Sequence, residues 1–338
     1  MSGNHTPSTQ AAVPPERGKA ESPILSVRNL RIEFESTGAT VFAVRGVSFD
    51  LRKGKTLGMV GESGCGKSVT AYSVLRLIQP PGKITGGEIN YRGADILRMN
   101  PEDVRAIRGR EIAMIFQEPM ISLNPVFTIG FQISEAVMLR HGKDKKESRG
   151  IAVEMLTRVG IPDAEKRYRS YPHELSGGMR QRVMIAIALA ASPSILIADE
   201  PTTALDVTIQ AQILDLLMNI QRERDMSMLL ITHDLGIVAN TADDIAIMYA
   251  GEIVESGTVS QIFNAPMHPY TIGLFEAIPR IGESARRLRT IPGMVPSLTS
   301  EPQGCVFYPR CFRRADECRE NPIPLVEKNS HLVRCVRA

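Results

Sequence analysis

The chain has no tryptophan, only 5% aromatic residues, almost no net charge and no long apolar run. Each shortage removes a class of function. Its 40 lysines and arginines nearly match 37 aspartates and glutamates, leaving +3, and no basic stripe with interleaved aromatics is visible. Nucleic acid is therefore not an expected partner. The longest apolar stretch, residues 183–191, falls far short of the roughly 20 residues a membrane-spanning helix needs. Residues 1–22 carry Ser, Thr, Pro and Gly without an apolar centre, so a disordered tail is expected there and not a secretory signal. Cysteine is scarce too: Cys65 stands alone, while Cys305, Cys311, Cys318 and Cys335 crowd the last 34 residues. In the reducing cytosol expected for this chain, such clustering points to metal before disulfides.

What is present is an alternation of short apolar runs and amphipathic stretches, in a chain of 338 residues that can hold one large or two modest domains. Apolar residues tend to alternate over 24–34 and 47–51, as in half-buried strands, and 56–60 is a short apolar run ending at Gly61. A helix is expected over 68–78, stopped by Pro80, Pro81 and Gly82. Residues 103–159 read as mostly helical, although 112–116 is an apolar run with Gln117 at its tip, as in a buried strand. A helix over 179–191, a strand over 195–198, an amphipathic helix marked by Ile209, Ile213, Leu217 and Ile220, and a strand over 227–231 follow. Past Ala265 prolines recur, which predicts a loop-rich extension.

Between the strand at 56–60 and the next helix lies Gly61-Glu-Ser-Gly-Cys-Gly-Lys-Ser68. Gly61, Gly64 and Gly66 let backbone N–H groups turn toward an anion, and the helix start adds the positive end of its dipole. Ser63, Cys65 and Val69 complete the expected contact set; Lys67 can reach β- and γ-phosphates and the Ser68 hydroxyl can ligate Mg²⁺. Beside Lys67, the Cys65 thiol is expected to have a lowered pKa and to react with alkylating agents. Asp199 and Glu200 end an apolar strand, where paired carboxylates suit a cation and a proton: Asp199 for Mg²⁺, Glu200 for polarising the attacking water. Ser176, Gly177 and Gly178 open a second helix, again an anion-ready terminus. Gln117 and His233 each follow an apolar strand, where side chains enter the ligand crevice of an α/β sheet.

The ordered set of 61–68, Gln117, Leu175-Ser-Gly-Gly-Met-Arg-Gln-Arg182, Ile195-Leu-Ile-Ala-Asp-Glu-Pro201, Ala204-Leu-Asp206 and His233 resembles the ATP-binding cassette family over about residues 24–265. The resemblance implies an α/β fold: a RecA-like P-loop core with an antiparallel β subdomain over 23–116 and 192–265, and a helical signature subdomain over 117–191. Residues 266–338 would form the loop-rich extension. It implies that two cassettes pair head to tail, a heterodimer being expected, with ATP and Mg²⁺ held between the phosphate loop of one and the signature of the other. Gln117 would then sense Mg²⁺ and the attacking water, His233 would contact the γ-phosphate, and Asp206 would lie at the dimer seam. Adenine would stack on an aromatic upstream of the loop; Phe42 is the candidate, with Phe34 also available.

The run Gln117-Glu-Pro-Met-Ile-Ser-Leu-Asn-Pro125, the segment His268-Pro-Tyr-Thr271 with Ala277-Ile-Pro279, and the tail from Gly304 resemble the dipeptide, oligopeptide and nickel importer branch. That implies two transmembrane permease subunits, an extracytoplasmic binding protein, and a peripheral place on the cytoplasmic face of the membrane. The alternative class is a soluble cassette ATPase acting on ribosomes or DNA, which the single cassette and near-neutral charge disfavour. Four tail thiolates satisfy a [4Fe–4S] cluster, which some members of the branch carry, with zinc as the rival and His331 as a substitute ligand.

Overall fold

The computed structural model describes residues 22–36, 38–118, 122–203, 205–277 and 290–338. Nearly all of the expected disordered tail lies outside these residues, as do positions 119–121, Ala204, Ile278 and Pro279. Two long strands, β1 (Leu25–Ser36) and β2 (Ala39–Leu51), pair with each other antiparallel, and β1 pairs antiparallel with β4 (Gly82–Tyr91). With the short β5 (Ala94–Asp95) they make a sheet of order β2-β1-β4-β5.

The second sheet has eight strands. Five are mutually parallel: β3 (Thr56–Val60), β6 (Ile112–Ile115), β7 (Ile195–Asp199), β8 (Ser227–Thr232) and β9 (Asp244–Tyr249). Then β10 (Glu252–Thr258), β12 (His331–Val333) and β11 (Val326–Lys328) extend it antiparallel, in the order β11-β12-β10-β9-β3-β8-β7-β6. All residues of β3, β6, β7 and β8 are buried, which is why these strands read as continuous apolar runs. Their period of two splits the interior: Ile195, Ile197, Leu229 and Ile231 pack toward the four-stranded sheet, while Leu196, Ala198, Met228 and Leu230 pack toward the helices.

The helices in chain order are α1 (Lys67–Val74), α2 (Pro101–Ile107), α3 (Ile129–His141), α4 (Lys145–Arg158), α5 (Ala164–Arg167), α6 (Gly177–Ala190), α7 (Val207–Arg224), α8 (Leu235–Thr241), α9 (Val259–Asn264), α10 (Pro269–Glu276) and α11 (Glu317–Glu320). Helix α1 stops at Val74, short of the expected 78. Arg76 there takes a left-handed φ of 49°, and the Leu75 and Arg76 carbonyls accept from the Arg108 guanidinium at 2.8 and 2.9 Å. The expectation of mostly helix over 103–159 also needs correction, because β6 and the non-helical residues 116–118 and 123–128 interrupt that stretch. The extension past Ala265 is not merely loop. Its β12 pairs with β10, and Tyr270 and Phe307 join Tyr249 and Val254 in a third apolar cluster.

Candidate nucleotide site

The loop between β3 and α1 is a backbone cradle. Gly64 and Gly66 have φ of 78° and 105°, and a Cβ on Gly66 would lie 2.6 Å from the Ala43 carbonyl oxygen, so only glycine fits. Lys67 is buried and folds back, its Nζ donating to the carbonyls of Gly61 (2.7 Å) and Glu62 (3.1 Å). Ser63 is exposed at the loop's tip and Val69 packs half-buried against the core. The expectation for Cys65 fails. Its side chain is fully buried, wedged where a Cβ on Gly61 would lie 2.7 Å from its Sγ. Burial pushes the thiol above its ordinary range, and the opposing pull of Lys67 is the smaller effect. Loop position could not reveal which way the side chain turns: inward, with Sγ accepting from Lys67 Nζ at 3.9 Å.

Across the loop, β7 delivers two carboxylates with different surroundings. Asp199 is buried; its Oδ1 accepts from the Ser68 hydroxyl at 3.0 Å, and its Oδ2 has no hydrogen-bond partner. Burial raises its pKa, the Ser68 bond opposes this, and neighbouring Glu200 raises it further. Sequence reasoning missed Tyr72, whose phenol is pushed up to about 12 by burial and then by Asp199. Its signal was the four-residue step along α1 from Ser68.

Glu200 gathers the polar groups at the strand ends. Its Oε2 accepts from Gln117 Nε2 at 3.1 Å and from the hydroxyl of Thr203, also unforeseen, at 2.8 Å. His233 Nδ1 lies 3.5 Å from Oε1, with the imidazole largely exposed. Residues just after β6, β7 and β8 thus converge at the carboxyl edge of the sheet, where α/β folds bind ligands.

The second glycine pair faces outward. Ser176 caps α6 by accepting from the Met179 N–H at 3.4 Å; Ser176 and Gly177 are exposed and Gly178 is half-buried. Asp206 caps α7 through the Ile209 N–H at 2.9 Å and is exposed beside Val207. Phe42 is half-buried on β2, next to the Ala43 carbonyl that faces Gly66. Phe34 is occupied elsewhere, its ring packed where a Cβ on Gly82 would lie 2.6 Å away.

In the tail, Cys305, Cys311, Cys318 and Cys335 line one small cavity with Phe307 and Ile323, and none forms a disulfide. Burial pushes the Cys305 thiol up to about 11 and raises Cys311 and Cys335 as well. Among the described residues, no three His, Cys, Asp or Glu side chains stand close enough to hold a metal ion. His331 is not available as a substitute ligand: it is buried, with Nε2 2.8 Å from Glu255 Oε1.

A phosphate loop facing a carboxylate pair, with an exposed glycine-opened helix elsewhere, defines a nucleotide-binding cassette. The chain belongs to the ATP-binding cassette transporter family. Residues 44–203 match the family described as ABC transporter, and residues 254–318 match the oligopeptide/dipeptide transporter C-terminal region. It is 53% identical over 315 residues to the dipeptide transport ATP-binding protein DppD of Bacillus subtilis, covering 92% of this chain and 94% of that one. A putative peptide import ATP-binding protein of Brucella melitensis is 49% identical over 331 residues, covering 94% and 98%. Among solved structures, an ATP-binding cassette in a dimeric post-hydrolysis state bound to ADP and Pi is 26% identical with a TM-score of 0.63, covering 70% of this chain and 98% of that one.

Proposed function

We propose that this chain is the ATP-hydrolysing subunit of a binding-protein-dependent importer of di- and oligopeptides. The observation that carries the reading is the convergence of Gln117, Glu200 and His233 on one edge of the sheet beside the phosphate loop. The C-terminal match and the peptide-import names of the relatives favour peptide over nickel as cargo. Partners would be a second cassette, two permease subunits and an extracytoplasmic binding protein. No described helix is long and apolar enough to cross a membrane, so attachment to the cytoplasmic face would run through the permeases.

Loop N–H groups would bind the phosphates, and Lys67 would exchange the Gly61 and Glu62 carbonyls for β- and γ-phosphate oxygens. The unpartnered Oδ2 of Asp199 and the Ser68 hydroxyl fit Mg²⁺, with Gln117 beside them; bound there, the ion would neutralise developing phosphate charge. Glu200, oriented by Gln117 and Thr203, would accept a proton from water as that water's oxygen bonds to the γ-phosphorus and the bond to the ADP oxygen breaks. His233 would hold the γ-phosphate. Ser176, Gly177, Gly178 and Asp206 would serve the pocket of a paired cassette, and Phe42 would carry the adenine. In the tested variant, Glu200→Gln should bind ATP like the wild type yet lose turnover in the assembled transporter. Brisk hydrolysis by it would overturn the role of Glu200.

The four tail cysteines, on this reading, hold a [4Fe–4S] cluster, with zinc as the alternative. What supports a shared group is that all four side chains line one cavity. Protein purified without oxygen should be coloured and contain iron; colourless protein with zinc alone would sink the cluster.

A further inference from the structure

Among the described residues, the C-terminal extension reaches back to the phosphate loop at Glu62 and holds it from two directions. The Glu62 N–H donates to the hydroxyl of Tyr270, a fully buried side chain at the start of α10, at 2.9 Å. The Glu62 carboxylate receives a two-pronged ion pair from Arg310, Nη1 to Oε1 and Nη2 to Oε2, both 3.0 Å. The Arg310 side chain is 7% exposed and its Nε donates to the Pro292 carbonyl at 2.8 Å, so the guanidinium is fixed before it meets the loop. Planar, bidentate pairing of this kind sets both charge and orientation.

Glu62 is also where Lys67 rests, because its carbonyl accepts from Lys67 Nζ. The order of contacts therefore runs from the tail through Arg310 and Tyr270 to Glu62, and from Glu62 to the lysine that must turn toward phosphate. An unpaired Glu62 would place a bare negative charge in the loop that receives an anion. Neither Arg310 nor Tyr270 stands in the phosphate-loop or signature motifs.

We infer that Arg310 is a positioning residue for nucleotide binding: it fixes the phosphate loop through Glu62 and neutralises that carboxylate, so ATP affinity depends on the extension. This rests on loop 61–68 being the phosphate site, as proposed above. Calorimetric titration of the full-length chain with MgATP tests it, using Arg310→Gln, Arg310→Gln with Glu62→Gln, Tyr270→Phe and Lys67→Ala. Arg310→Gln should weaken ATP about tenfold, within the usual range of coupling between contacting residues. Adding Glu62→Gln should recover most of that loss, because the uncompensated charge is gone; a purely structural arginine would not be rescued this way. Tyr270→Phe should weaken ATP about threefold, as expected for one lost hydrogen bond. Wild-type affinity in Arg310→Gln, or a loss that Glu62→Gln does not relieve, overturns the inference while leaving the nucleotide site intact. Wild-type affinity in Lys67→Ala overturns both.

Discussion

Strand β8 is buried through side chains that feed two apolar clusters at once, whereas the C-terminal extension adds to its apolar cluster a buried polar hub of one carboxylate and two histidine residues. Glu255 on β10 is fully buried; it accepts from the backbone N–H groups of Met267 (2.7 Å) and His268 (3.0 Å), and meets His331 on β12. Arg334 adds bonds to the Ile253 and Ile323 carbonyls at 3.1 and 2.7 Å. Apolar packing degrades gradually, because many weak contacts share the load. A buried polar hub fails all at once, since each remaining partner is left without water. The two regions should therefore respond differently to damage.

The sharpest contrast comes from Glu255→Ala, which strands two N–H groups and an imidazole. Loss of about 3–5 kcal/mol is expected for such a buried network. Hydrogen exchange should quicken across β10 to β12 while β7 and β8 stay protected; equal loss in all of them would mean that the two regions open as one. Next, Ile231→Ala should remove about 3 kcal/mol by leaving a cavity between the sheets. Here the denaturant midpoint of the whole chain should fall, and an effect confined to the tail would break the comparison.

The smallest effect is on pH. Burial holds the His268 imidazole near 3, far below its ordinary 6.5, and its Nδ1 accepts from the Tyr270 N–H at 3.1 Å. Between those values the unfolded chain binds a proton that the folded chain refuses, so stability falls as pH drops below about 6.5. Going from pH 6.5 to 5.5 should remove about 1 kcal/mol, because the unfolded imidazole is already half-protonated at pH 6.5. His268→Asn keeps an acceptor but cannot titrate there, so its acid slope should be shallower; an unchanged slope would assign the effect to other groups.

Legibility from sequence follows the same division. Thr56–Val60 and Ile195–Asp199 could be read as strands because central parallel strands are apolar on both faces, and the motif order singled out Lys67, Asp199, Glu200 and His233 as candidates. Strand β12 could not be read: it is three residues long, and its meaning lies in a partner 76 residues away. Tyr72 and Thr203 were hidden for a related reason, since each is an ordinary residue until folding places it beside a carboxylate. Cys65 misled because helix-dipole reasoning fixes a position along the chain but not the face a side chain presents.

Strand β12 also closes the flank of the parallel sheet. Glu255 and Ser256 pair with Val333 and Leu332, and the Arg334 N–H donates to the Val254 carbonyl at 2.8 Å. Removing the tail would bare those main-chain groups beside the buried Ile253 and Val254, a ready template for another strand. On that ground a version ending before β12 should associate with itself more readily than the full chain.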